Sequence, residues 1–521
     1  MTRPRGLASC CLAAAAVLYL WNLGRAPIYL GGDEAHFGVQ GYALATTGRD
    51  LSGRRFPLFI NLSDAAARGD KSVRWYQPAL FYATALVLKI APLSEWSTRL
   101  PAALLGLLDL WLMFLVAGRI TGRSALAVLA LVMLALTPAH LIFSRQATDY
   151  LFPAAFALGW LWFLLISLDS NRLWPSLAAG LVLGLGFYSH ISAWVLMPGL
   201  LLTTWITQYR AGRARASTTA TAAAGFAVML LPFAAWLLAY PAMLTETLAR
   251  YGLRSAPLGA GAVQHVISTY LSFFDPILLL RTGGLSMTTA THRSGVFLLP
   301  MAVLIPVGMF EAIRRGRSLP IAPALLIGFF IAPAAGATVG EPGMVQRALL
   351  LLPFGVLLAT IGTARLWASR RPFIRTAVAV LLAMMPLQFA YFYRDYLTNY
   401  QHRSAFYFDP VDFRDVAEYL VAADAAHPLP DIYMSDQLDD AAARWRFQAT
   451  AQRREDLLPR TEYNVDIARV ELRNASPGSA LVMYADGARV AEMVRTGAWT
   501  LGTIIFDVDG RQATAILRKA N

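Results

Sequence analysis

Charge is what this 521-residue chain has little of: 15% of its residues are Asp, Glu, Lys or Arg, where a soluble domain carries about a quarter. That scarcity excludes an ordinary soluble globular protein. Apolar residues make up 57% and mean hydropathy is +0.49, concentrated in repeated runs long enough to cross a bilayer. Cysteine is almost missing. Cys10 and Cys11, both in the first apolar run, exclude a disulfide framework. The stretch Leu7 to Cys10, LASC, is not a lipoprotein cleavage box, because the apolar segment follows the cysteine. No small-residue cleavage site in a polar setting follows MTRPR, so the first run reads as an uncleaved helix. Internal repeats and low-complexity segments are absent as well. The chain also lacks any basic tract interleaved with aromatics, so its net charge of +13, from 45 Lys+Arg against 32 Asp+Glu, does not point to nucleic acid.

In a membrane protein that excess belongs to short cytoplasmic loops. Apolar length places candidate helices at about 7–23, 99–117, 124–142, 152–168, 174–190, 191–208, 217–238, 295–311, 320–338, 346–364 and 374–393, each near the roughly 17–25 residues that span a bilayer. With Arg3 and Arg5 in the cytoplasm, the inside loops hold Arg119 and Arg123; Arg172; Arg210, Arg213 and Arg215; Arg314, Arg315 and Arg317; and Arg365, Arg370, Arg371 and Arg375. The outside turn before residue 152 holds only Arg145, and the one near 343 only Arg347. That asymmetry orients eleven helices with the C-terminus outside. Counting 76–92 as a further span would invert every later loop, so it reads as an interfacial helix, as does 34–47. The first outside loop, about 24–98, hugs the membrane; a second large one covers about 239–294. After residue 394 charges return. DIYMSD, SALVMYAD and TLGTIIFDV read as strands, and 438–453 and 485–496 as helices. The expected fold is an α-helical polytopic membrane protein, with a membrane domain over 1–399 and a small extracytoplasmic α/β domain over 400–521.

Two acids open the first outside loop, in GGDEAHFGVQGYALATTGRD. As plain loop polarity, Asp33 and Glu34 would be solvated charge, or Asp33 would cap the helix that follows. The preceding Gly31-Gly32 allows a tight turn, which sets the pair apart from ordinary loop charge. Asp149, in the turn SRQATDYLFP beside Arg145, has the same bland reading as a helix-terminal acid. A site that activates a hydroxyl and releases a phosphate needs a base of this kind beside cations.

The order DEAHFGVQGYALATTGRD, GRRFPLF, PLSEWSTRLPAALLG, continued by TPAHLIFSRQATDYLFPAAFAL, LVLGLGFYSHISAWVLMPGLLL and PGMVQRALLLLPFGVLLATIG, resembles the GT-C glycosyltransferases. The likeness is to the protein O-mannosyltransferase and lipid A aminoarabinose transferase types, over about residues 7–400. It implies a GT-C fold and transfer of a sugar from a polyprenyl-phosphate carrier to an acceptor on the outer face, inverting in many members. Carried over by position, Asp33 is the general base, Glu34 its assistant, and Asp149 the second acid, orienting the acceptor or a cation. Candidates for the donor phosphate are Arg347, Arg293, Arg74 and Lys71, whose bland alternative is ordinary contact with lipid headgroups. Tyr82, Tyr188 and His190 are candidate substrate contacts; an interfacial aromatic belt is the alternative for the pair in GFYSH. Where aminoarabinose transferases carry Glu-Lys-Pro, this chain has Tyr76-Gln77-Pro78, which weakens the case for a metal there. His292 is the remaining candidate ligand for a divalent ion, and no other cofactor is implied. Asp109 stands inside a span, where an ionisable group is costly.

The implied partners are the lipid-linked sugar donor, a glycan, lipid or protein acceptor, and the surrounding plasma-membrane lipids. A transporter or flippase would instead place its titratable groups at mid-membrane and repeat its halves. A non-catalytic scaffold would leave Asp33 and Asp149 without a role. The map makes one direct prediction. A reporter fused after residue 400 should respond to the extracytoplasmic compartment, and a cytoplasmic signal would invert every assignment of sidedness.

Overall fold

The structure, a computed structural model, describes residues 3–62, 75–252, 259–467, 472 and 474–520. It divides into two compact units. Met1–Trp21, Trp75–Leu80 and Leu100–Tyr396 form the first; Asn22–Arg74, Phe81–Arg99 and Leu397–Asn521 form the second. The first-loop segments therefore group with the C-terminal domain rather than with the helices that flank them in sequence.

The first unit is helical, and helix occupies each of the eleven apolar segments read from the sequence. Among the described residues, Glu95–Thr121, Asp149–Asp169, Ala216–Ala239, Ala322–Val339 and Pro372–Leu397 are long and apolar enough to cross a membrane. Ser124–Ala135 and Pro138–Ser144, bent by 64° at the break, make a sixth if counted as one. The break falls at Thr137-Pro138, where proline can start a helix but not continue one. These stretches establish a multi-pass membrane protein; the number eleven stays a reading of the sequence. Gly6–Leu20, Trp174–Gly186 and Leu351–Trp367 are apolar but shorter.

Small residues let these helices approach closely, as interfaces without a hydrophobic drive require. A Cβ on Gly308 would sit 1.8 Å from the Leu358 carbonyl oxygen, and one on Gly362 2.1 Å from that of Leu304. Helices Met301–Arg315 and Leu351–Trp367 thus meet backbone to backbone. Polar groups inside the bundle cluster together. Asp109, the costly acid, faces His140: its Oδ2 lies 3.5 Å from Nε2. His140 Nδ1 in turn meets the Tyr19 hydroxyl at 2.7 Å. Arg145 donates from Nη1 to the Leu18 and Tyr19 carbonyls, at 3.1 and 2.7 Å, satisfying the last turn of helix Arg3–Leu20.

Helix Ala216–Ala239 contains Pro232, which opens the helical ladder around it. Tyr188 enters the gap. Its hydroxyl donates to the Met229 carbonyl at 2.6 Å and accepts the Phe233 N–H at 3.1 Å, splicing a carbonyl and an N–H four residues apart beside the proline.

The second unit carries helix Gly32–Thr47 and a five-stranded sheet. Across the sheet the strands run Thr461–Val465, Ile432–Ser435, Ala480–Tyr484, Gln512–Lys519, Trp499–Phe506. The first three are parallel; Gln512–Lys519 is antiparallel to both its neighbours. Alternating residues of each strand face opposite sides. Ile432, Met434, Val482 and Ile516 join a core with Phe413, Leu420 and Trp445. Tyr433, Leu481, Met483 and Leu517 pack with Trp499 on the other side. Helices Phe413–Ala426, Ala441–Ala451 and Gly487–Arg495 complete the α/β domain.

Removing the splice should be measurable. Tyr188→Phe leaves the Met229 carbonyl and Phe233 N–H without their bridge, at a cost of about 1–3 kcal/mol. In a Pro232→Ala background the ladder closes by itself, so the same substitution should cost far less. Thermal unfolding of the four proteins of that cycle reads the difference, and equal losses in both backgrounds would refute the splice.

Candidate active site

Each unit holds one cluster of the residues singled out above. In the second unit the chain enters helix Gly32–Thr47 through Gly31, in extended conformation at φ −65° and ψ 159°. Gly31 is therefore the N-cap, Asp33 the second helical residue and Glu34 the third. Glu34 Oε2 accepts the Gly31 backbone N–H at 2.8 Å, as an acid at the third position of a capping box does. The same carboxylate takes one edge of a buried guanidinium: Arg99 Nε at 2.9 Å and Nη2 at 3.1 Å. Glu34 is 2% exposed and Arg99 0%. Asp33, its neighbour, is half-buried in the first turn, where the helix dipole favours a negative charge. The adjacent acids thus have different environments, and Glu34 is committed to holding the segment.

Arg99 is one of three arginines that fix the approach to Asp33. Besides Glu34 it donates to the carbonyls of Leu23 at 3.2 Å, Pro27 at 2.8 Å and Tyr29 at 2.6 Å. Arg414 Nη2 donates to Ile28 O at 2.7 Å while its guanidinium is paired with Glu95 at 2.8 Å. Arg444 donates to Leu30 O at 2.8 Å and to Phe408 O at 2.7 Å, with Asp409 3.4 Å away. Four consecutive carbonyls, Pro27 to Leu30, are each taken by a guanidinium.

The start of the helix rests on the C-terminal part of the same unit. A Cβ at Gly32 would lie 2.1 Å from Asp440 Oδ2, and one at Gly38 would lie 2.6 Å from the Phe447 ring. A side chain at Gly38 would force the ring to shift, and one at Gly32 would turn the Asp440 carboxylate away. His36 Nε2 stands 3.4 Å from Asp440 Oδ1. The Tyr29 hydroxyl lies 3.0 Å from Asp412 Oδ2 and 2.9 Å from Asp507 Oδ1. One hydroxyl hydrogen cannot serve two carboxylates at once. Burial, reinforced by the charges of Asp415 and Asp409, pushes Asp412 up to about 7, so below that pH Asp412 carries a proton of its own, while Asp507 is paired with Arg511.

In the first unit Asp149 opens the short 3-10 turn Asp149–Leu151, which packs beside a second such turn, Val345–Arg347. Asp149 is buried. Tyr150 presents its ring edge to His190, centroids 5.4 Å apart. His190 Nδ1 meets the Ser192 hydroxyl at 2.7 Å and accepts the Ser192 backbone N–H at 3.2 Å, which places the neutral ring's proton on Nε2. The Arg347 charge lies near this imidazole. Arg347 pairs with Glu341 at 2.7 Å and lies over the Tyr251 ring at 5.2 Å. Its Nη1 is buried without a hydrogen-bond partner among the described residues. Asp149, His190 and Arg347 are thus brought together.

The other candidates are placed differently. The Tyr188 hydroxyl is engaged by the kinked helix, and Tyr82 donates to Pro57 O at 2.8 Å, so both are used for structure. His292 and Arg293 are exposed, His292 in a left-handed conformation at φ 57°. Among the described residues no group of three His, Cys, Asp or Glu could hold a metal ion. Lys71 and Arg74 lie outside the described residues. Sequence reasoning missed Arg99, Arg414, Arg444, Tyr29 and Asp440. Arg99 left one trace, an arginine at the start of an apolar span; the others left none.

Residues 76–237 match the family model of dolichyl-phosphate-mannose-protein mannosyltransferases, under a third of the chain. No curated protein sequence matches significantly. The whole fold is similar to ArnT from Cupriavidus metallidurans. The apo form gives a TM-score of 0.65 at 16% identity, covering 99% of this chain and 98% of that one. The form bound to undecaprenyl phosphate gives 0.61 at 15% identity, covering 98% of each. The oligosaccharyltransferase of Archaeoglobus fulgidus, in complex with Zn and sulfate, gives 0.50 at 12% identity, covering 99% of this chain and 73% of that one. The fold is the GT-C fold, helical with a small C-terminal sheet domain.

The Tyr29 pair gives a prediction with a definite sign. Asp412 is raised in the folded state from about 3.8 to about 7, so its contribution is full at low pH and is lost progressively as pH rises from about 4 to about 7. Thermal stability of the wild type should fall between about pH 4 and pH 7. Asp412→Asn, which tolerates the residue's φ of 56° and keeps a donor for Tyr29, should flatten that fall; an unchanged pH slope would remove Asp412 as its source.

Proposed function

We propose that this protein is a membrane glycosyltransferase that moves a sugar from a polyprenyl-phosphate donor to an acceptor on the extracytoplasmic face, with inversion. The observation that carries the reading is the division of labour between the adjacent acids. Glu34 is saturated by Arg99 and Gly31, while Asp33 keeps solvent access on a backbone that guanidinium groups hold still. A general base needs both reach and a fixed position. The match of residues 76–237 to the mannosyltransferase family model and the likeness to an ArnT structure bound to undecaprenyl phosphate support the donor class.

Asp33 takes the proton of the acceptor hydroxyl as that oxygen attacks the anomeric carbon. The bond from that carbon to the lipid phosphate breaks, and its electron pair leaves with the phosphate. With a phosphate acceptor, already ionised, Asp33 orients instead. Charge growing on the leaving group requires preorganised donors, and Arg347, with a buried N–H unmet, is the candidate in the helical unit. A phosphate there competes with Glu341 for the guanidinium. Asp149 orients the acceptor or a cation.

Mass spectrometry of envelope lipids and glycans from cells with and without the protein identifies the product, which then serves as the assay. Asp33→Asn should lower transfer by about 10²–10⁴-fold, leaving membrane insertion, thermal stability and binding of undecaprenyl phosphate nearly unchanged. Wild-type transfer in that variant would falsify the base assignment.

A further inference from the structure

We infer that the C-terminal domain is the positioning element of the proposed catalytic aspartate, with Arg444 as the residue through which it acts; this rests on Asp33 being the base. The two parts are one compact unit, in which the segment 22–62 groups with residues beyond 397. Three features bind them. Arg444, 7% exposed, ties Leu30 O to Phe408 O through its two terminal nitrogens, at 2.8 and 2.7 Å. Arg414 ties Ile28 O to Glu95 and lies over the Tyr29 ring at 5.5 Å. Asp440, one turn ahead of Arg444, presses its carboxylate against Gly32, the residue before Asp33.

The physical consequence is rigidity where the chain has no secondary structure of its own. Residues 27–30 form neither helix nor strand, and their carbonyls are met by arginine side chains in place of a backbone ladder. A guanidinium offers a flat fork of donors with fixed spacing, and one such fork bridging residue 30 and residue 408 sets the distance between the base-bearing segment and the domain. A displacement of about 1 Å at a reacting group is enough to cost about 100-fold in rate. Arg444 touches no reacting atom. It acts by holding Leu30, three residues from Asp33.

The test must separate positioning from plain stability. Product formation is measured with the full-length protein in membranes, with the thermal transition recorded for each variant. Arg444→Met keeps the stem and removes the donors. It should lower kcat at least 10-fold, leave the KM for donor within about twofold, and leave binding of undecaprenyl phosphate unchanged. Arg444→Lys, which can still reach one carbonyl, should recover part of that loss. Because Arg444 acts through Asp33, the two losses should not add: in an Asp33→Asn background, Arg444→Met should reduce the residual rate less than twofold. Wild-type kcat in Arg444→Met overturns the inference, and so does a full further 10-fold loss in the double variant. If Arg444→Met does not fold, Arg444→Lys decides: a folded, fully active Lys variant with unaltered kcat overturns it. Should Asp33→Asn itself transfer sugar normally, the base assignment fails, whatever Arg444 does.

Discussion

Three guanidinium groups taking four consecutive carbonyls are the constraint on which the rest of the second unit depends. Residues 27 to 30 must cross from one helix to the next without a hydrogen-bonding ladder, and buried carbonyls without partners are costly. Arg99, Arg414 and Arg444 come from three separate parts of the chain to meet them. Arg99 shows how complete the arrangement is. A guanidinium has five N–H donors, and here Nε meets Glu34, Nη1 meets Leu23 and Pro27, and Nη2 meets Tyr29 and Glu34. A fully buried cation is tolerable only under such saturation. It also follows that lysine could not replace it, having three donors and no plane.

Each clamp arginine brings its own carboxylate: Glu34 for Arg99, Glu95 for Arg414 and Asp409 for Arg444. The positive charges are therefore cancelled where they stand. This matters for a base, because an unbalanced cation beside a carboxylate stabilises its charged form and lowers its appetite for a proton. The segment is held by directional hydrogen bonds and not by a net positive field. Arg347, in the helical unit, also has one carboxylate partner, Glu341, but takes none of the 27–30 carbonyls.

Much of the fold was legible, because long apolar runs and the bias of arginine between loops are local signals. Helix lies in all the segments that apolar length picked out, and the strands expected from DIYMSD, SALVMYAD and TLGTIIFDV lie at Ile432–Ser435, Ala480–Tyr484 and Trp499–Phe506. The elements are shorter than the runs where proline intervenes, as at Thr137-Pro138, since hydropathy is blind to a bend. Asp109 drew notice as a buried acid, but His140 and Tyr19 could not be named its companions from spacing. The acidic pair was legible as a pair and not as two unlike groups. What separates them is Arg99, 65 residues away, and Arg444, 414 residues from the carbonyl it holds. No periodicity or motif encodes a partner at that distance.

Tyr188 makes the same point from the other direction. Its position at the end of an apolar run suits an interfacial ring that meets substrate, and chemistry alone does not exclude it. A hydroxyl that donates to Met229 and accepts from Phe233 has spent its hydrogen on the kink. Tyr82, donating to Pro57, is spent in the same way. Polar side chains near a membrane surface are drawn first to whatever backbone groups the fold leaves unmet, because water cannot reach those groups cheaply. A residue is available for chemistry only after that demand is satisfied by others. Around Asp33, which is half-exposed at its helix start, Glu34 and three arginines meet that demand.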